Sequence, residues 1–223
     1  ATVNAHYWAG ECDYAMGSFT AALGKYDDVR NAGGAYASSL YEQAGYSMGY
    51  SFFKLKQYSE AATSFRRGLD ASGMTREQRN DAMVRIADCY FVGKDEATAI
   101  QWYDKAIDNN AAAADYAMYQ KGVCQGLQKK YTDKIATLKK LLGAKPNSQY
   151  AADAEFELGQ TYLPLEKDAD ALTYYQQVVN DHPNSPHVRQ SMLQSALIDK
   201  RQGRTEKALT GFKTVVAQYP TMD

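Results

Sequence analysis

The chain is poor in several things that usually announce a function. It lacks an excess of either charge: the formal net charge is −1 and the isoelectric point about 6.4. Long-range attraction to nucleic acid or to an acidic membrane is therefore not implied. The basic pairs Arg66-Arg67, Lys129-Lys130, Lys139-Lys140 and Lys200-Arg201 are short and separated, and read as solvated helix faces. No apolar run approaches the length of a membrane-spanning helix. A signal peptide is not expected at the start, because Asn4, His6 and Tyr7 already belong to a helical pattern. No segment alternates as a strand with hairpin turns. The glycine-rich run Asn31, Ala32, Gly33, Gly34 follows a helical pattern and reads as a helix stop rather than a phosphate loop.

Proline is also scarce, with 5 in 223 residues, but three of them are regularly placed. Pro146, Pro183 and Pro220 lie 37 residues apart in turn. A fixed period in the range of about 20–50 residues decides the architecture. The stretch from Pro146 to Pro183 reads as one unit of two apolar-periodic helices. Gly159 anchors the first helix, where a small side chain lets the second approach closely. Ala171 follows twelve residues later and Tyr175 four after that. The same spacing joins Gly10, Ala22 and Tyr26; Gly49, Ala61 and Phe65; Ala87, Ala99 and Tyr103; and Ala196, Ala208 and Phe212. Gly122 leads to Lys134 and Leu138, a degraded copy that predicts a different crossing angle for the pair from about 111 to 143. Twenty-four residues after the anchors stand Gly34, Gly73, Ala111, Pro146, Pro183 and Pro220, mostly helix-ending residues.

This phase predicts an all-α chain of twelve helices, at roughly 4–16, 18–31, 36–55, 58–71, 76–93, 95–108, 111–128, 131–143, 149–165, 168–181, 186–202 and 205–219. Thr75 and Ser148 are N-cap candidates, and Ser185 precedes Pro186 as a serine cap with proline in the first turn.

The pattern Leu158, Gly159, Tyr162, Ala171, Tyr175 and Pro183 resembles the tetratricopeptide repeat. The resemblance covers nearly the whole chain, although the family's usual period of about 34 residues is shorter than the spacing here. It implies a right-handed superhelical solenoid of about six repeats, at approximately 4–34, 36–73, 75–110, 111–146, 148–183 and 185–220, forming one domain over 1–223. A terminal repeat usually needs a polar cap. The last helix has none after it, so a segment of a longer protein is expected, with Val215 and Val216 near an exposed end and self-association through that repeat as one option.

Chemistry-bearing residues are few. Cys12, Cys89 and Cys124 each sit two residues after an anchor, at one packing position in three repeats. Equivalent positions in neighbouring repeats are too far apart for a disulfide, and no CxxC spacing exists. His182 and His187 bracket a turn with Asp181, and a metal there is weighed against a solvated inter-repeat turn, which is favoured. No Ser/His/Asp or Cys/His arrangement can be assembled. No catalytic residue, cofactor or metal site is expected, and the protein is not expected to be an enzyme.

The family resemblance implies that first helices line a concave groove. Projecting its groove-facing positions gives Tyr7, Glu11, Tyr14, Tyr46, Tyr50, Phe53, Asp88, Phe91, Tyr116, Tyr119 and Phe156, with Asp81 among the further positions. Aromatic residues offer large contact area at low entropy cost, and tyrosine keeps a polar handle. The alternative is that these tyrosines fill gaps between the helices of an oversized repeat. The family's clamp for the acidic tails of heat-shock chaperones uses lysines, asparagines and an arginine, and the projected positions do not supply it. The expected function is a non-enzymatic scaffold that binds a partner peptide or protein segment. The alternatives are an envelope glycan- or peptidoglycan-binding module and a structural spacer or self-assembly segment. The tail motifs, PNS with YAADAEFELG and HPNSP, resemble longer repeats of bacterial periplasmic proteins. That implies a periplasmic or outer-membrane-associated place in a Gram-negative bacterium, with the cytoplasm as the alternative.

Overall fold

The computed structural model describes residues 2–32, 39–69 and 74–220. Twelve α-helices run through these residues. They are α1 (Val3–Ala15), α2 (Phe19–Asn31), α3 (Ser39–Lys54), α4 (Tyr58–Leu69), α5 (Arg76–Val92), α6 (Glu96–Asn109), α7 (Asp115–Leu127), α8 (Tyr131–Ala144), α9 (Ala151–Tyr162), α10 (Asp168–Asp181), α11 (Val188–Arg201) and α12 (Thr205–Gln218). No strand is present among the described residues. The chain divides into two compact units, residues 1–128 and 129–223, so the boundary falls inside the fourth repeat. In the first unit each helix from α1 to α7 packs on the next, and α1 also touches α3. In the second unit α8 to α12 pack in the same sequential way.

The anchor spacing has a direct steric cause. A Cβ added to Gly10, Gly49 or Gly159 would lie 2.6 Å from the ring of Tyr26, Phe65 or Tyr175, respectively. The ring of the second helix lies flat on the backbone of the first, and only hydrogen fits between. Ala22, Ala61, Ala99 and Ala171 are fully buried, as are Tyr26, Phe65, Tyr103 and Tyr175. In the last hairpin the arrangement is reversed: a Cβ on Gly211 of α12 would meet the Cβ of Ala196 at 2.9 Å. In the degraded copy Lys134 is buried at the alanine position and its ammonium reaches the Glu157 carboxylate on α9, while Leu138 fills the aromatic position.

Seven residues after every anchor the backbone turns left-handed. Gly17 (φ 79°), Lys56 (60°), Lys94 (61°), Lys129 (57°), Glu166 (55°) and Gly203 (75°) all hold this conformation. It ends the first helix and starts the second within a few residues, and four of the six positions do so with a side chain that disfavours it.

The caps are mixed. Thr75 accepts from the Gln78 amide, and the Gln78 side chain accepts from the Thr75 amide, so a full capping box opens α5. Ser148 and Ser185 are turn residues instead. Their hydroxyls accept from the amides of Tyr150 and His187, and α9 and α11 begin later, at Ala151 and Val188. The helix expected over 149–165 ends at Tyr162 and tightens into a 3-10 turn, Leu163–Leu165, where Pro164 has no amide to continue the α pattern. Similarly, the segment before α7 is a 3-10 turn, Ala111–Ala113. The expected helix stops at Gly34 and Gly73 lie outside the described residues.

Two local expectations are corrected. Cys12 is exposed, whereas Cys89 and Cys124 are buried thiols. Val215 is buried within the α11–α12 hairpin, while its neighbour Val216 is 65% exposed.

Candidate functional site

The first unit gathers its acidic and phenolic side chains into two hydrogen-bonded clusters. The first centres on Glu11 of α1. Its Oε1 accepts from the buried Tyr26 hydroxyl of α2 at 2.8 Å and from Ser47 Oγ of α3, also at 2.8 Å. Burial, followed by the bond to Glu11, pushes the Tyr26 phenol far above its ordinary range, so it stays a donor.

The next node is Asp81 on α5. Its Oδ2 accepts from Tyr46 at 2.6 Å and from Tyr50 in a short contact; both tyrosines lie on α3. Burial and then the Asp81 bond raise both phenols, Tyr50 to about 12. The two rings meet edge to face at 5.3 Å and both sit edge-on against Phe65. Arg85 bridges onward, with Nε 3.4 Å from Asp81 Oδ1 and a terminal nitrogen 2.6 Å from Asp88 Oδ2. Asp88 is buried, and its Oδ1 accepts from Tyr103 at 2.7 Å and from Tyr116 at 3.0 Å. Burial raises the Asp88 carboxyl above its usual range, against the lowering effect of Arg85 and the two phenols.

The sequence logic behind this is a coupled pair of positions. In the first unit, where the second helix carries Tyr at the packing site, the first helix supplies a carboxylate one residue after the anchor: Glu11 for Tyr26 and Asp88 for Tyr103. In the second unit the residue after Gly159 is Gln160, and the buried Tyr175 hydroxyl has no hydrogen-bond partner among the described residues. Where the packing residue is Phe65, the corresponding position is Tyr50, whose hydroxyl goes to Asp81 instead. A buried phenol without an acceptor would carry a desolvation penalty of about 1–3 kcal/mol.

Between α1 and α3 the two clusters border a cup of about 270 Å³ lined by Glu11, Tyr14, Tyr26, Tyr46, Ser47 and Tyr50. Tyr14 is held edge-on by Phe19, with ring centroids 5.3 Å apart. Four of the projected groove residues, Glu11, Tyr14, Tyr46 and Tyr50, therefore converge on one cavity. The others do not line it. Tyr7 is buried against Tyr26 and Trp8. Phe53 is half-buried and packs edge-on against Tyr58. Phe91 and Tyr119 are half-buried on α5 and α7. Asp88 and Tyr116 belong to the hydrogen-bonded system around Arg85. In the second unit Phe156 is buried, stacked on the His187 ring at 4.3 Å. Tyr26 reads in the sequence as a packing residue only, and its signal as a site residue is the acid after the anchor, Glu11; Ser47 and Arg85 carry no such signal.

The two histidines weighed for a metal each face a single carboxylate: His187 Nε2 lies 2.8 Å from Asp153 and His182 Nε2 lies 3.4 Å from Glu155. Among the described residues no group of three or more His, Cys, Asp and Glu side chains could hold a metal ion. No helix among them is long and apolar enough to cross a membrane.

Helices packed in sequence, with a glycine set against an aromatic ring in three of the hairpins, define a helical-hairpin repeat protein. The chain belongs to the tetratricopeptide repeat family: two models of that repeat match residues 46–116, and 116–148, 153–185 and 190–221. No curated protein matches the sequence. Among solved structures, the C-terminal part of a TPR repeat-containing protein from Cytophaga hutchinsonii is 17% identical, with a TM-score of 0.82, covering 100% of this chain and 85% of that one. PilW, described as a widely conserved type IV pilus biogenesis factor, is 20% identical with a TM-score of 0.63, covering 99% and 95%. YrrB, described as a TPR protein with an unusual peptide-binding site, is 19% identical with a TM-score of 0.64, covering 80% and 86%. At such identities the likeness is one of fold.

Proposed function

We propose that this chain is a non-enzymatic interaction scaffold whose first unit holds an extended segment of a partner protein along its first helices, α1, α3, α5 and α7. The observation that carries this reading is the cup between α1 and α3. Its aromatic walls are fixed before any ligand arrives, because Tyr46 and Tyr50 share Asp81 and Tyr26 is tied to Glu11. A preorganised aromatic pocket lowers the ordering cost that weakens segment binding. The peptide-binding site of YrrB shows that a protein of similar fold takes such a ligand. A periplasmic or outer-membrane-associated location belongs to the same proposal, supported by the tail motifs; cell fractionation with an antibody to the chain tests it.

Selection from a displayed peptide library tests the binding role. Peptides enriched on the whole chain should lose at least about tenfold in affinity on Tyr14→Ser, which removes one wall of the cup and its aromatic contact area. The melting temperature of that variant reports whether the fold is intact. A library that yields no binder, or binders indifferent to Tyr14, would refute the reading.

A further inference from the structure

Four of the five hydroxyl protons lining the cup, all but that of Tyr14, are already spent. Tyr26 and Ser47 give theirs to Glu11, and Tyr46 and Tyr50 give theirs to Asp81. Each of these oxygens therefore turns only lone pairs towards a ligand. The π faces of the tyrosines add negative potential, and the Glu11 carboxylate adds a full negative charge. No lysine or arginine lines the cavity. The cup is thus rich in acceptors and poor in donors, and it rejects a carboxylate or phosphate. From this we infer that the cup is an anchor pocket for a basic side chain of the partner segment, with the cation held against the tyrosine rings and Glu11. The inference rests on the segment-binding reading of the first unit.

Cation–π contact with a tyrosine is strongest when the cation is shielded from water, as in a recess. The basic group would replace its hydration shell with the Glu11 oxygens and the tyrosine oxygens. A neutral alkyl chain would bury the same area but leave those acceptors without donors. That difference is what gives the cup its selectivity.

The test is a titration of the whole chain, with its backbone labelled for nuclear magnetic resonance, using Nα-acetyl-lysine methylamide. Nα-acetyl-norleucine methylamide, which keeps the alkyl stem and lacks the ammonium, is the neutral comparison. The lysine probe should shift the amide signals of Glu11, Tyr14, Ser47 and Tyr50. It should bind about tenfold more tightly than the norleucine probe. Glu11→Gln keeps an oxygen for Tyr26 and Ser47 but removes the charge, and most of the preference should vanish with it. Added salt should weaken the lysine probe and leave the norleucine probe unchanged, a readout that needs no variant. Equal affinity for the two probes, binding of neither, or shifts that map away from the cup overturn the basic anchor. The peptide selection separates the two levels. Selected segments that occupy the cup without lysine or arginine overturn the anchor alone, and a library without binders overturns the groove reading as well.

Discussion

Tyr103 donates its only hydroxyl proton to Asp88 across 2.7 Å inside the first unit, where neither group has water to fall back on. Removing either partner should therefore have unequal effects. Tyr103→Phe deletes one bond and leaves Asp88 with Tyr116 and Arg85, a loss of about 1 kcal/mol. Asp88→Ala strands the buried Tyr103 hydroxyl and leaves the Arg85 guanidinium with Asp81 alone, a loss of about 3 kcal/mol. Urea unfolding of the two variants measures the difference.

The same carboxylate gives a pH dependence with a definite sign. Burial raises the folded-state pKa of Asp88 above its unfolded value. Its contribution to stability is then fully present below the unfolded value and is lost as pH rises through the raised one. The near-isosteric Asp88→Asn does not titrate. The stability of the parent relative to this variant should decline as pH rises through the raised Asp88 range. Paired unfolding curves across the acid range check this, and a gap that widens with pH would contradict it.

Glycines in the helices should respond to alanine in opposite ways. At Gly159 the new methyl would lie 2.6 Å from the Tyr175 ring, and overpacking should destabilise by about 1–3 kcal/mol. At Gly24 and Gly143 a Cβ meets nothing within 4 Å, and helix propensity should stabilise by about 0.5–1 kcal/mol. Thermal melts of the three single variants suffice.

Thiol labelling should distinguish the cysteines. Cys12 is exposed, while burial pushes the Cys89 and Cys124 thiols up to about 12. Iodoacetamide on the native chain should add one label, at Cys12, and all three cysteines should react after unfolding. Intact mass gives the count.

The capping residues offer a further contrast. Thr75→Ala breaks a capping box and should lower stability by about 1 kcal/mol. Ser148→Ala and Ser185→Ala remove only turn bonds and should have smaller effects. Unfolding midpoints of the three variants compare them.

The helices were legible because their packing rule is local and periodic. Gly10, Gly49 and Gly159 stand at fixed distances from the rings they accommodate, so the phase could be read without coordinates. Helix starts after Ser148 and Ser185 were placed early, since a serine that can cap a helix can equally close a turn before it. The groove was only partly legible. Glu11 and Asp88 read as groove-facing residues, because nothing local shows that a tyrosine fifteen residues on will claim them. Phe156 carried the right offset, yet His187 from the following repeat covers it. The left-handed residue was visible only where it is glycine, at Gly17 and Gly203; at Lys56, Lys94, Lys129 and Glu166 the tertiary packing overrides the side chain's preference.

Six turns that share one backbone geometry also make the gene tolerant of a particular kind of accident. A recombination event that joins the codon for Lys56 to the codon that follows Lys94 removes 38 residues and leaves a left-handed residue at the junction, with φ near 60°. The reverse exchange duplicates the same stretch. Either product meets its new neighbour with the same anchor, alanine and aromatic phase. A chain built this way can gain or lose whole hairpins in a single step, and its length becomes a quantity that drifts and is selected more readily than its fold.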